Sequence, residues 1–473
     1  MSDLNTIFEE MLDANIAFDN LLNEEKKDTS YKLLIVSGEP DDEREYFHTA
    51  QRLKDEAESM NIPAYVLFAE KGSIQLESRN PTTYKIYNED DKKGFEIKPH
   101  NTVAIIRRSV SDSDSRLDLV SQLEKAGVCC VNPRQTIQIC SDKYWTGLKL
   151  ADVGITTPKS ALIQDEDTIP KALEAVGEKY PLILKTLSGS KGVGVLFIES
   201  RRSLDSTCQL LWKINKNTEL LLQSYIKADF DVRVHVLGDT VLATMRRDVA
   251  KDDFRSNYSL GAKVKPYKLS EEEKIICVKA SKAVGGVWTA VDFIKDKKDK
   301  VYVLEVNNSP GTEGIEKATK ENIVKNVLEY FKDKSKWSRT PTPCGYYETV
   351  EIEPFGLLIG KFDTGNSNLK AVIHAEDVKI KDDKVTFTCN GKTLTAKLEG
   401  KYRTQHAGGL EERYFIKRDI TFLGHTYKDV DFGLDDRSEF VTDVLLNREI
   451  MNSFNVMVNP AKKYLMTTIK EIK

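Results

Sequence analysis

The order of apolar and polar positions changes character several times along the chain. Residues 4–24 place Leu4, Ile7, Phe8, Met11, Leu12, Ile16, Leu21 and Leu22 near helical spacing, which predicts an amphipathic helix. From Tyr31 the apolar residues gather into runs. KLLIVSG, AYVLFAE and VAIIRR (103–108) read as buried strands, with helical stretches around 42–59 and at Leu117–Ala126. Strands alternating with helices predict a parallel sheet covered by helices. The charged stretch around 88–98 reads as a solvated excursion or hairpin. SDKYWTGLKLADVGI (141–155) predicts a helix capped by Ser141 or Asp142 and stopped near Gly154. Strands then dominate the pattern through residue 307, and ENIVKNVLEYFKDKSKW returns to helix. SRTPTPCG (338–345) has two prolines, a glycine and no periodicity, which predicts a linker. Residues 346–473 read as short strands with turns at GNSN, CNGK and FLGH, hence a small barrel or sandwich.

Composition narrows this picture. A length of 473 residues suggests roughly three domains of ~150 residues, and 40% apolar residues suffice for ordinary cores. With 70 basic and 74 acidic residues the net charge is -4, which gives no bulk electrostatic case for nucleic acid or an anionic membrane. Seven cysteines without a C-x-x-C spacing argue against a disulfide framework or zinc ribbon and for reduced thiols. An acidic start and the lack of a long apolar run predict neither signal peptide nor membrane span, so the expected location is cytoplasmic.

Chemistry concentrates in three segments. In YPLILKTLSGSKGVGVLFIES (180–200), a strand carrying Lys185 leads into a loop with Gly189, Gly192 and Gly194, and a second strand leaves it. Both flanks are β, which excludes a Walker loop or Rossmann fingerprint, each of which needs a helix next. Such a hairpin can fold over phosphate oxygens, although a plain hairpin with a flexible tip would show the same glycines. Lys185 interrupts an apolar run, where a phosphate partner would offset the cost of burying its ammonium. In TAVDFIKDKKDKVYVLEVNNSPG (289–311), two strands flank a charged turn. Glu305 and Asn307 share one face, and Asp292 on the partner strand can join them. Hard oxygen ligands of this kind suit Mg²⁺ carrying nucleotide phosphates. A charged outer hairpin face fits less well, because the lysines sit in the turn and not opposite the acids. Between these segments, Gln223–Ile226 ends a strand that can offer backbone hydrogen bonds to a base edge. Asp231, Arg233 and His235 share a face, and Arg246 and Arg247 end the next strand, with Arg255 and Asn257 in the loop beyond. Fixed cations near phosphate and carboxylate fit acyl-phosphate chemistry, while Arg247 also reads as part of a solvated basic edge.

Residues from about 31 to 336 resemble the RimK-type ATP-grasp ligases, which attach glutamate to protein or peptide C-termini. The carrying motifs are SDK (141–143), LK-x-L-x-GSKGVGV (184–195), QSYI (223–226), D-V-R (231–233), DFRSN (253–257), VDFI (291–294) and EVNNSPGTEGIEKAT (305–319). The resemblance implies a pre-ATP-grasp α/β domain at 31–140 and an ATP-grasp domain at 141–336, after a helical extension at 1–30. It implies that Lys143, Lys185, Gly192 and Gly194 hold ATP phosphates, with Ser224, Tyr225 and Ile226 at the adenine. Asp231 would lie near the ribose, and Arg255, Ser256 and Asn257 near ATP and substrate. Asp292, Glu305 and Asn307 would bind two Mg²⁺ (or Mn²⁺) ions, with Arg233 and Arg246 bearing substrate and transition-state charge. The implied partners are L-glutamate as amino-acid donor and a protein or peptide acceptor, in a homo-oligomer. A small-molecule acceptor would use the same site.

After a linker at 337–346, residues 347–473 resemble a small RimK-associated protease family with a retropepsin-like all-β fold. FGLLIGKFDTGNSNLKAVIHAEDVKI (355–380) holds a D-T-G at Asp363, and LDDRSEFVTDVLLNREIM (434–451) resembles the later segment of such folds. Asn366 stands where Ala is common and Asn447 where Gly is usual. An aspartyl mechanism needs two carboxylates sharing a proton, so one D-T-G requires a second copy of the chain. His374, His406 and His425 are scattered, with no zinc-ligand spacing. A catalytic Asp363 and a barrel that only presents or recognises peptide are both open, as is a peptidase regulated by the ATP-binding half.

Overall fold

In the computed structural model, residues 31–468 are described, apart from 39–45, 75–83, 89–90, 92, 99–100, 108–109, 112, 188–193, 249–262, 367–369 and 407–408. The expected helix over 4–24 lies outside the described residues. These residues form two compact units that part between Ser338 and Arg339.

The first unit opens with the expected parallel sheet. Its strand order is Ala64–Phe68, Lys32–Ser37, Thr102–Ile106, Cys129–Val131. The inner strands are apolar on both faces because helices Tyr46–Ser59 and Asp114–Lys125 belong to the covering layers. The charged stretch forms an antiparallel hairpin between Tyr84–Tyr87 and Phe95–Ile97. Asp142, not Ser141, caps helix Lys143–Asp152, accepting the peptide N–H groups of Tyr144 and Trp145 at 2.8 and 2.9 Å.

Two antiparallel sheets follow. One has the order Val195–Ile198, Leu182–Thr186, Leu220–Ser224, Ser160–Ile163. The other has the order Val264–Pro266, Thr240–Asp248, Phe230–Leu237, Trp288–Lys295, Val301–Asn307. The strand-dominated reading of this stretch missed helices Ile169–Val176, Arg201–Ile214 and Glu271–Ala283. The last two carry capping boxes on Ser200 and Ser270. One face of the five-stranded sheet packs Val232, Val234, Val291, Phe293 and Val306 with Cys277 and Ala280 of helix Glu271–Ala283. Asn132, just past the parallel strand Cys129–Val131, staples this sheet to the parallel one. Its amide nitrogen donates to the carbonyls of Trp288 and Asn308 at 2.7 and 2.6 Å. Its oxygen accepts from Val287 and Trp288 at 2.6 and 3.1 Å.

In the second unit, strands Tyr347–Ile352, Gly356–Phe362, Val444–Leu446, Ala371–His374, His425–Asp435 and Gly409–Phe422 follow one another around a six-stranded barrel. The ring closes where Glu351 pairs with Thr421. Two-residue turns at Asn390–Gly391 and Leu423–Gly424, with positive φ at both positions, make hairpins at the expected CNGK and FLGH. The stretch read as a linker contributes a strand, Thr342–Gly345, parallel to Val456–Asn459. Glu348 is fully buried and gathers the chain end. It accepts peptide N–H groups of Gly345, Leu465, Met466 and Thr467 at 2.6, 2.9, 3.1 and 3.0 Å, and the Thr467 hydroxyl at 2.6 Å. All seven cysteines are free. Among the described residues, no helix is long and apolar enough to cross a membrane.

Candidate functional site

The five-stranded sheet builds a charged cluster on the face away from helix Glu271–Ala283. Asp231, Arg233 and His235 alternate along one strand and so project together, as their spacing predicts. The register sets Asp231 opposite Arg247, Arg233 opposite Asp292, and Asp292 opposite Glu305. Arg233 forks onto Asp292, its Nε and Nη2 donating to the two carboxylate oxygens at 2.7 and 2.6 Å. Arg247 forks onto Asp231 at 2.6 Å twice and reaches Asp292 with Nη2 at 2.8 Å. Arg247, Asp231 and Asp292 are 3, 4 and 2% exposed, so these are charge-assisted pairs shielded from water. Glu305 sits at the rim, 3.8 Å from Arg233, and accepts from the Asn307 amide at 3.0 Å.

This geometry corrects two expectations. Asp292 does have a basic cross-strand neighbour, Arg233. The lysines of the local turn gave no sign of it, because the partner lies 59 residues away in sequence. The reading of Arg247 as a solvated edge also changes. Arg247, read as edge, is the buried member of the cluster. Arg246, read as catalytic, alternates to the opposite face. There it pairs with Asp248 at 2.5 Å and lies 3.8 Å above the centre of the Phe230 ring.

The field of the cluster follows. Burial alone would raise the Asp292 carboxyl, but the charges and hydrogen bonds of Arg233 and Arg247 hold it well below the usual carboxylate range. Burial would lower Arg247, and Asp292 and Asp231 hold it above the usual range instead. His235, fully buried, is pushed down to about 3 by desolvation, aided by the charge of Arg233. It is therefore neutral at physiological pH.

The four-stranded sheet supplies the lysines. Lys185 donates to the Gln223 side chain at 2.8 Å, and Gln223 is itself anchored on Ser160 at 2.8 Å. Sequence spacing gave no reason to pair Lys185 with Gln223, which lies on the adjacent strand. Desolvation lowers the Lys185 ammonium to about 8; Glu305 opposes this and Lys143 reinforces it. The charges of Glu305 and Lys143 thus both act on Lys185. Lys143 donates to the Leu187 carbonyl at 3.0 Å. Gly194 has φ +79°, and a Cβ there would come 2.5 Å from the Thr186 hydroxyl, so the hairpin needs glycine at this position. Ser224, Tyr225 and Ile226 are half-buried at the strand end, with Tyr225 edge-on to Phe197 at 5.2 Å. Gly192, Arg255, Ser256 and Asn257 lie outside the described residues.

Asp363 follows strand Gly356–Phe362 in the barrel unit. Its carboxylate accepts the Gly365 N–H at 3.0 Å and lies 3.4 Å from the Lys361 ammonium. Arg448 donates to the Thr364 carbonyl at 2.8 Å, and Asn447 caps the helix Arg448–Phe454, so the two segments singled out in the sequence meet. His374 lies near Glu376 and Asp436. Its Nδ1 already accepts the Arg437 N–H at 2.9 Å, and both acids are exposed.

Residues 140–331 match the RimK-like ATP-grasp domain family. A "Probable alpha-L-glutamate ligase" of Haemophilus influenzae is 32% identical over 308 residues, 63% of this chain and 97% of that protein. One from Coxiella burnetii is 31% identical over 290 residues, 61% of this chain and 92% of that protein. Among solved structures, a Chryseobacterium gregarium RiPP-associated ATP-grasp ligase, in complex with ADP and a leader and core peptide, shares the fold. It aligns with TM-score 0.52 at 14% identity, over 65% of this chain and 99% of that one. The protein is therefore an ATP-grasp ligase. Within that class, it belongs to the RimK-like family that includes the α-L-glutamate ligases.

Proposed function

We propose that this ligase joins L-glutamate to the C-terminal carboxylate of a protein or peptide through an acyl phosphate. The observation that carries the reading is the buried cluster of Arg233, Arg247, Asp231 and Asp292, with Glu305 at its rim and Lys185 and Lys143 beside it. Family kinship with α-L-glutamate ligases supports glutamate as the amino acid. The peptide ligands named for the RiPP-associated ligase suggest a peptide acceptor.

In this reading Lys185 and Lys143 hold the ATP phosphates, and the hairpin containing Gly192 and Gly194 covers them. Ser224, Tyr225 and Ile226 line the base. Arg255, Ser256 and Asn257 are proposed near ATP and substrate. Asp292, Glu305 and Asn307 offer two carboxylates and an amide oxygen in adjacent register, a donor set that fits Mg²⁺ or Mn²⁺. Bound there, two such ions would neutralise phosphate charge. Asp231, whose carboxylate Arg247 engages, is proposed near the ribose. Arg233 and Arg247 face the charge that develops as the γ-phosphoryl moves to the acceptor carboxylate. The amine then attacks the acyl carbon, phosphate leaves and an amide forms. Water must be excluded meanwhile, or the acyl phosphate hydrolyses. Lys185→Ala or Asp292→Ala is expected to abolish amino-acid-dependent ADP release. Unchanged turnover in either variant would sink the site assignment.

For the second unit, the meeting of the D-T-G turn with the segment around Asn447 supports a retropepsin-like barrel. Asp363 would then either trim the product peptide, as part of a pair formed with a second copy, or mark a peptide-recognition groove. Trimming of a polyglutamylated peptide by wild type and by Asp363→Ala separates the two, since unaltered trimming excludes the aspartyl mechanism.

A further inference from the structure

An amino acid that supplies the amine in this reaction keeps its own α-carboxylate unreacted. That carboxylate needs a fixed cation where water is excluded. The parallel sheet offers one. Its strand order reverses between Lys32–Ser37 and Thr102–Ile106, and open α/β sheets bind ligands in the crevice at the carboxyl ends of such a pair. Ser37 ends the first of these strands, and Arg107 immediately follows the second, its N–H donating to the Val36 carbonyl at 2.8 Å. Arg107 is only 4% exposed. Its guanidinium donates to the Pro310 carbonyl at 3.1 Å and lies 5.8 Å from the centre of the Trp288 ring.

Around this cation, polar groups are left over. The hydroxyls of Ser37 and Ser309, the indole N–H of Trp288 and both ring nitrogens of His235 are buried, with no hydrogen-bond partner among the described residues. Ser37 and Ser309 adjoin Val36 and Pro310, whose carbonyls Arg107 binds, and native interiors leave few such unpartnered groups, which points to a ligand. The crevice also adjoins the charged cluster. The His235 ring is 6.3 Å from that of Trp288, and His235 shares its strand face with Arg233, which forks onto Asp292. A small molecule anchored at Arg107 can therefore reach toward Asp292.

We propose that Arg107, with Ser37, Ser309 and His235, binds the unreacted carboxylate of the amino-acid substrate and so positions its amine for attack. The proposal rests on the ligase reading above. The C-terminal carboxylate of a peptide acceptor offers the same chemistry, and the test separates the two. L-glutamate and, separately, a glutamate-terminated peptide are titrated into the full chain by calorimetry, with Mg²⁺ and a non-hydrolysable ATP analogue. Nucleotide affinity is measured alongside as the check on folding. Arg107→Met is expected to weaken L-glutamate binding about tenfold or more, and Ser309→Ala by about threefold, with nucleotide affinity unchanged. If Arg107→Met does not bind nucleotide, Ser309→Ala alone decides. Unchanged L-glutamate affinity, or weakening confined to the peptide, overturns this seat while leaving the ligase reading intact. A wild-type protein that binds nucleotide but releases ADP without any dependence on amino acid overturns the ligase reading itself.

Discussion

Two buried carboxylates in this chain are satisfied in opposite ways. Asp292 is held by two guanidinium groups, those of Arg233 and Arg247. Glu348 is held mainly by peptide N–H groups, those of Gly345, Leu465, Met466 and Thr467, with the Thr467 hydroxyl. Side-chain charges can turn toward an incoming phosphate or carboxylate, so the Asp292 arrangement is compatible with ligand exchange. Peptide donors belong to the backbone, and giving them up means releasing the tail.

The comparison breaks most visibly at Arg247. Arg247→Met leaves Asp231 and Asp292 short of a buried counter-charge, which costs about 3–5 kcal/mol. Denaturant unfolding should show this loss, and ADP release should disappear with it. Glu348→Gln replaces a pure acceptor with an amide whose nitrogen faces donors, at a cost of about 2–3 kcal/mol. Its signature should be faster proteolysis near residues 464–467, with ATP turnover retained.

A smaller effect separates the clusters by pH. Lys185 titrates at about 8 in the folded protein against an ordinary 10.5. The fold disfavours its charged form, so this group's penalty is present below about 8 and is relieved as pH rises toward 10.5. Nucleotide binding should run the other way, weakening above about 8 as the ammonium is lost. Binding titrations across that range check this, and Lys185→Arg should flatten the inflection. The smallest effect belongs to Asp363, which is half-buried beside Lys361: Asp363→Asn should shift unfolding by no more than about 0.5 kcal/mol.

Much of the first unit was legible because its signals are local. Apolar runs marked the parallel strands, and the two-residue spacing of Glu305 and Asn307 marked a shared face. The helices at Arg201–Ile214 and Glu271–Ala283 were missed although capping boxes stand at Ser200 and Ser270. There the surrounding strand pattern outweighed a short polar signal. The placement of Arg246 and Arg247 was hidden for a different reason. Neighbours on a strand point to opposite faces, and only the register with Asp231 decides which one is buried. The contact of Lys185 with Gln223 was hidden likewise, since it depends on which strands become neighbours. In the second unit, the turns at Asn390–Gly391 and Leu423–Gly424 were readable from residue type, whereas the closure of the ring through Glu351 and Thr421 was not.

The Asn132 staple has a consequence for the catalytic cycle. One amide saturates all four of its hydrogen bonds across the junction of the parallel and five-stranded sheets, at the base of the strand that leads to Asp292. A hinge there would have to break the whole set at once. The two sheets are therefore tied together as a single floor beneath the cluster around Asp292.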